Sequence, residues 1–198
     1  SIKLNLQDIE LDKVDIDLTM MLEQIADELY GVLQEKMLTC KVEAEEEILI
    51  EGDPDKLARV FDNILRNAIA YCREKSVLLI QAAKEENQVR ICFENEGDTI
   101  PEESLKRIFD KFYRADASRS SSTGGAGLGL AIAKEIVELH KGQIIAESSV
   151  GKTRFIVTLP LKGGVESNEI HTHSGHSSGG RAGRRKFLHR KAAGRTVE

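Results

Sequence analysis

Four glycines, Gly124, Gly125, Gly127 and Gly129, crowd the stretch "STGGAGLGLAIAK" just where a helix begins. Glycines at a helix start remove side chains and let backbone N–H groups reach an anion that the helix dipole also favours, which is the chemistry of a phosphate cradle. Taken alone, such a stretch also serves as a hinge or a close-packing site. It is not a Walker A loop, because no Gly-Lys-Ser/Thr follows, and no strand leads directly into it as a dinucleotide fingerprint requires. Asn63 and Asn67 form a second candidate. They stand four residues apart in "FDNILRNAIAY", beside the stripe Leu57, Val60, Phe61, Ile64 and Ala68. Ala or Leu would be better helix formers there, so that edge must do something besides packing.

Two further pieces carry possible chemistry. In "FENEGDTIPEE" a strand ends at Asn95, whose carbonyl oxygen can accept from an exocyclic amine, Gly97 lets the chain turn, and Ile100 opens a loop; a plain Asn-Gly-Asp turn explains the same residues. In "FDKFYRADASRS" the aromatics Phe109, Phe112 and Tyr113 are interleaved with Arg114 and Arg119. Aromatics in a loop dock it onto a surface, and arginines meet phosphate oxygens, although arginines alone also suit a solvated loop.

The elements that must position these residues are legible in the hydrophobic period. Leu18, Met21, Leu22, Ile25, Leu29, Val32 and Leu33 predict one long first helix, preceded by a short strand and a connection. "CKVEAE" and "EILIEG" read as a tight hairpin. Asp53 caps a second helix with Pro54 at its first position, running to about Tyr71. The strands "SVLLIQAAK" and "QVRICFEN" follow, split by a polar turn. Residues 96–125 are a long connection with one short helix, from Pro101 to Phe109, and a connection of that length in a compact domain is usually functional or disordered. A third helix spans about Ala126 to His140, and "GQIIAESS" and "KTRFIVTLPL" close the chain's ordered part. Strands and helices without strict alternation predict a two-layer α/β sandwich, a mixed sheet with helices on one face.

Composition bounds the reading. With 40% hydrophobic and 31% charged residues, the 198-residue chain is of ordinary globular type, and no apolar run approaches a membrane span. The start "SIKLNLQDIE" lacks both parts of a signal peptide. Residues 163–198 hold seven Lys or Arg and three Glu, a charge of +4; since the whole chain is at -5, residues 1–162 carry -9. A body that acidic is not built for nucleic acid. The tail is rich in Gly, Ser, Arg and His without apolar period and is read as disordered; its His171, His173 and His176 have no scaffold to hold a metal. Cys40, Cys72 and Cys92 are odd in number and far apart, so neither a disulfide framework nor a zinc site is expected, and a reducing cytosol fits.

The order "FDNILRNAIAY", "FENEGDTIP", "FDKFYR", "GGAGLGLAIAKEIVELHKGQI" and "GKTRFIVTLP" resembles the N, G and F boxes of the ATP-binding catalytic domain of sensor histidine kinases. The resemblance covers nearly all of residues 1–162, and the stretch from Phe112 to His140 is most similar to vancomycin-resistance kinases of the VanS type. It implies a GHKL (Bergerat-type) ATP site between helices and sheet. Asn67 then binds Mg2+. Asn63 takes the position where ATP-hydrolysing relatives of the fold place a Glu base, and an amide cannot take a proton from water. Tyr71 lies against the nucleoside, Asn95 reads adenine with Gly97 making room, and Gly125, Gly127 and Gly129 line the phosphates. Ile100, Leu128 and Thr153 complete the nucleotide contacts, while Arg114 and Arg119 approach the γ-phosphate or the partner domain.

Two departures from the family pattern stand out: Asn95 where Asp is common, and Ala70 where Lys or Arg is common, so that a phosphate contact is lost or comes from Arg66, Arg73 or the lid. The phosphoacceptor histidine is absent, since His140 ends a helix and reads as a packing residue. The resemblance therefore implies an excised, monomeric catalytic domain that takes ATP and Mg2+ and passes the γ-phosphoryl group to a histidine on a separate helical dimerisation domain; the alternatives are a nucleotide-binding interaction module without transfer and an ATPase of the same fold, the latter opposed by the amide at Asn63. From there it reaches a response regulator. The implied setting is the cytoplasmic side of a membrane-anchored bacterial parent.

Overall fold

The computed structural model describes residues 10–114, 128–163 and 195–197. A short strand β1 (Val14–Asp17) runs into helix α1 (Leu18–Glu28), where the Asp17 side chain accepts from the Met20 N–H and caps the helix start. The single long helix predicted from the stripe is interrupted: Leu29 leaves helical geometry, and α2 (Tyr30–Glu35) follows. Leu29 and Leu33 keep the buried stripe, but Val32 is exposed. Gly31 and the β-branched Val32 are weak helix formers directly after the break, where only Leu33 of α2 is buried to hold the turn.

The predicted hairpin is not formed. Strand β2 (Thr39–Ala44) and strand β3 (Leu49–Gly52) lie in different sheets, β3 pairing antiparallel with β1 from Val14↔Gly52 to Asp17↔Leu49. Ile48, fully buried between the two runs, explains the separation, because its carbonyl accepts from the Leu18 N–H and pulls the chain under α1.

Helix α3 (Pro54–Tyr71) forms as its sequence dictates. The Asp53 side chain accepts from the Lys56 N–H, Pro54 sits in the first turn, and Leu57, Val60, Phe61, Ile64, Leu65, Ala68 and Ile69 are buried. Phe61 is fully buried against Phe93 with ring centroids 5.8 Å apart, a contribution of roughly 1.5–3 kcal/mol from its burial alone. At the other end the Lys36 ammonium donates to the carbonyls of Ile69 (2.6 Å) and Ala70 (3.0 Å), groups the helix end leaves unpaired.

Strands β4 (Val77–Glu85) and β5 (Gln88–Glu96) form the expected hairpin. The expected short helix shrinks to one turn, α4 (Glu102–Leu105), and α5 (Gly129–Leu139) precedes the hairpin of β6 (Gln143–Ser149) and β7 (Lys152–Pro160). The main sheet has the order β6-β7-β5-β4-β2, parallel only between β2 and β4, with α1, α3 and α5 packed on one face. This is the expected two-layer α/β sandwich with a mixed sheet. Its inner face presents Leu78, Ile80, Val89, Ile91, Phe93, Phe155 and Val157. On the outer face Glu94 is bridged by Arg154 and Lys152. The tail departs from expectation at one place: Arg195–Val197 form an eighth strand, antiparallel on β2, which meets backbone groups that β4 leaves unpaired on that edge. The other tail residues, His171, His173 and His176 included, lie outside the described residues. No described helix is long and apolar enough to cross a membrane.

The β6–β7 turn holds local strain. Val150 has φ 53° and is 95% exposed, so a β-branched side chain occupies the left-handed region with no burial in return. Val150→Asn is expected to stabilise the fold by about 1 kcal/mol and raise Tm by a few degrees. A thermal melt that does not move would show the turn to be unstrained.

Candidate functional site

Asn63 and Asn67 lie half-buried, one turn apart, on the edge of α3 that faces α5. Asn63 Nδ2 donates to the Gly129 carbonyl at 3.0 Å. That carbonyl can only accept, so the amide orientation is settled and Asn63 Oδ1 remains an acceptor. Gly129 is the first residue of α5. A Cβ built there would meet nothing closer than Asn63 Cγ at 3.6 Å, so the described protein does not require glycine, and the missing side chain leaves space beside Asn63. Leu128, the N-cap residue, makes no side-chain cap hydrogen bond. Among the described residues no side chain caps the start of α5, so its first N–H groups form a positive helix end next to the polar edge of α3.

A second group forms where β5 and β7 end. Asn95 and Thr153 are cross-strand partners, and both are buried. Thr153 Oγ1 lies 3.1 Å from Ser148 Oγ, which accepts from the Ile100 N–H at 2.8 Å. The loop after β5 is thereby tied to the β6–β7 hairpin, and the Gly151 N–H adds a bond to Thr99 Oγ1 at 2.9 Å. Gly97 is explained by packing without any ligand. A Cβ there would stand 2.5 Å from the backbone oxygen of Tyr71, so only glycine lets this loop touch the end of α3. The Arg73 N–H completes the junction by donating to the Glu96 carbonyl at 2.7 Å.

Asn63, Asn67 and Tyr71 are therefore on one helix, Leu128 and Gly129 at the start of the helix beside it, Asn95 and Thr153 paired where β5 ends and β7 begins, Gly97 against the Tyr71 backbone, and Ile100 in the loop tied to Ser148. Arg119, Gly125 and Gly127 lie outside the described residues. Arg114 is exposed at the edge of that segment. Of the alternative cations, Arg66 is exposed and paired with Asp62 across one turn of α3, whereas the Arg73 guanidinium reaches within 4.0 Å of the Cβ position of Gly151. The loop aromatics divide. Phe109 docks edge-on to Phe155 at 6.3 Å, Tyr113 stacks beneath the Arg107 guanidinium at 4.7 Å, and Phe112 is 71% exposed.

Ser148 and Thr99 are site neighbours that no sequence signal singles out. A serine on an edge strand and a threonine in a turn acquire their roles only through pairing. The cysteines are free and buried, and burial with the Asp27 charge pushes the Cys40 thiol up to about 12, far from a nucleophile. A cavity of about 650 Å³ opens elsewhere, between the β4–β5 turn and the start of β6, lined by Glu86, Asn87, Lys141 and Gln143 among others. It lies at the opposite end of β5 from Asn95 and contains none of the residues above, so we do not assign the chemistry to it.

Comparison with known proteins gives the family and the fold. Residues 52–163 match the family model described as "Histidine kinase-, DNA gyrase B-, and HSP90-like ATPase". The chain is 53% identical to the sensor protein VanS of Enterococcus faecium over 156 residues, which is 79% of this chain and 40% of that protein. It is 44% identical to the sensor protein VanSC of Enterococcus gallinarum, over 80% of this chain and 44% of that protein. It thus spans less than half the length of these curated relatives. Among solved structures it resembles the nucleotide-free catalytic domain of the histidine kinase ThkA, with a TM-score of 0.67 and 26% identity over 77% of this chain and 96% of that one.

The contact at Gly97 generates a test. Gly97→Ala is expected to push the loop off the end of α3, lower stability by about 1–3 kcal/mol and speed amide exchange at Arg73. An unchanged melt with Arg73 still protected would show that the loop yields freely.

Proposed function

Because the chain belongs to the histidine kinase-, DNA gyrase B-, and HSP90-like ATPase family, we propose that it is the nucleotide-binding catalytic part of a bacterial two-component sensor histidine kinase, acting in vancomycin-resistance signalling. The observation that carries this reading is the Asn63–Gly129 hydrogen bond, which holds the two-amide edge of α3 against the N-terminal start of α5. A helix start that meets phosphate oxygens beside an amide that can meet a cation suits Mg-ATP better than an uncharged ligand.

The residues fit Mg2+ in one particular way. Among the described residues no three His, Cys, Asp or Glu side chains gather into a cation site. A single oxygen from Asn67, with phosphate and water as further ligands, is what a small octahedral ion accepts. When bound, Mg2+ neutralises phosphate charge; everything else falls to the chain. Asn95 and Thr153 read the adenine edge from the strand ends, Tyr71 and Ile100 bracket the nucleoside, and Leu128 and Gly129 present backbone N–H groups to the phosphates. The resemblance gives Gly125 and Gly127 to the phosphates as well, and Arg114 and Arg119 to the γ-phosphate or the partner domain. Asn63 binds without acting as a base, since an amide has no proton affinity to draw a proton from water, and ATP is held for transfer and spared hydrolysis. The acceptor is a histidine of a helical dimerisation domain of the same parent, then an aspartate of a response regulator. The parent is membrane-anchored with this part in the cytoplasm.

Asn67→Ala is expected to abolish the strengthening of ATP binding by Mg2+ while unfolding stays cooperative, because Ala is the better helix former at a half-buried position. Calorimetric titration with and without Mg2+ checks this, and loss of the cooperative melt would make Asn67 structural instead. With radiolabelled Mg-ATP the chain alone should bind nucleotide but form no phosphohistidine, and a separately supplied dimerisation domain should be labelled slowly, lacking the effective concentration that a linker provides. Self-labelling of the chain, or an unlabelled acceptor domain at saturating ATP, would overturn the donor role.

A further inference from the structure

Helices α3 and α5 are held together at two places. Near the candidate site Asn63 bonds to Gly129, and at the far end His140, the C-cap of α5, meets Asp53, the N-cap of α3. The helices thus run antiparallel. At about 1.5 Å per residue the two contacts are about 15 Å apart along α3 and about 16 Å apart along α5. The spans match, so α5 cannot slide along α3 without breaking one contact or the other.

The far contact depends on one form of the imidazole. His140 is buried; its Nδ1 lies 2.8 Å from the Ile136 carbonyl, which can only accept, and its Nε2 lies 3.0 Å from the Asp53 backbone N–H, which can only donate. The ring is therefore neutral with the proton on Nδ1. Its place is cut closely. A Cβ at Gly52 would stand 3.0 Å from His140 Cδ2 and 2.7 Å from Leu57 Cδ1, so glycine at that position admits the ring.

We propose that His140 is a positioning residue for nucleotide binding: its neutral ring clamps the C-terminus of α5 to the N-cap of α3 and sets the register at which the start of α5 faces Asn63 and Asn67. The proposal rests on the nucleotide-site reading above. Protonation would turn an Nε2–H against the Asp53 N–H and place a cation inside the junction. Among the described residues the charged groups facing the ring are Lys13, before β1, Asp53 at the N-cap of α3, and Lys56 of α3. Burial holds the pKa of His140 below the usual 6.5 against the pull of the Ile136 carbonyl; Lys13 and Lys56 add to the lowering, and Asp53 opposes it. A group depressed in this way contributes its stabilisation above about pH 6.5 and loses it as pH falls through the folded value. The Asp53 carboxylate does not relieve a cation freely, being already engaged by the N–H groups of Asp12 and Lys56 and by the Lys56 ammonium.

The test is Mg-ADP affinity at pH 7.5 and 5.5 for wild type, His140→Gln and His140→Asn, with 15N NMR of the wild-type imidazole. Gln can place an acceptor where Nε2 sits and should keep wild-type affinity at both pH values. Asn reproduces only the Nδ1 position and should bind about tenfold more weakly at pH 7.5, the scale of one buried hydrogen bond. Wild-type affinity should fall on acidification relative to the Gln variant, and NMR should show a neutral ring protonated at Nδ1. A ring protonated at Nε2 at pH 7.5, or Gln and Asn variants that bind as wild type does although they melt lower, would overturn the positioning role. Should neither variant fold, the wild-type tautomer and pH profile decide. Wild type that binds no Mg-ADP at pH 7.5 overturns the nucleotide reading and the proposal with it, whereas wild-type binding with equal variants removes the proposal alone.

Discussion

The hydrogen bond from the Asn63 amide to the Gly129 carbonyl joins two helices that are 66 residues apart in the chain. It works because each helix is already rigid. α3 has seven buried apolar residues and a capped start, and α5 buries Leu130, Ala133, Ile136 and Val137 in the same core. With the apolar stripes seated, the polar edge of α3 and the start of α5 have little freedom left. The bond selects an arrangement in which the half-buried Asn63 amide donates to the Gly129 carbonyl, whose second lone pair is available beyond its place in the α5 ladder.

The sheet supplies the second half of the site by a different constraint, register. Asn95 and Thr153 face inward because β5 and β7 pair Asn95↔Thr153 and Phe93↔Phe155, and a slip of one residue would turn both polar side chains outward. The outer face opposes such a slip. Burial works to raise the Glu94 carboxyl, but its hydrogen bonds from Arg154 and Lys152 hold it below the usual range. That pairing depends on Glu94 and Arg154 standing directly opposite each other. Part-exposed ion pairs contribute little stability, yet here they sit where register decides which face the neighbouring residues take. The pivot between helix and sheet is the contact of Gly97 with Tyr71, where any side chain would separate the two halves.

Much of this was legible beforehand, and the exceptions have a common character. Helix α3, its Asp53 cap, the β4–β5 and β6–β7 hairpins and the family resemblance all rest on residues close together in the chain or on motifs read in order. The hairpin predicted for residues 40–52 failed because β2 and β3 each found a partner outside the pair, β4 for one and β1 for the other. The first helix broke at Leu29 although its stripe looked continuous. In the tail, Arg195–Val197 took up a strand where composition pointed to disorder. Gly97 carried a ligand-centred expectation, while the contact that requires a glycine there is with the Tyr71 backbone.

The sequence by itself determined the periodic elements, the polar edge of α3, the glycine-rich start of α5 and the acidic body, because each depends on side chains within a turn or two of one another. Only the tertiary structure decided that Asn63 meets Gly129, that Ser148 supports Thr153, and that His140 closes the far end of the α3–α5 pair on Asp53. These contacts join residues that local propensity does not link, except for the short Ser148–Thr153 step across a hairpin whose register is itself set by the sheet. A polar side chain's partner is chosen by which backbone groups the packed core brings within reach with a lone pair or an N–H to spare, and that is a property of the assembled layers.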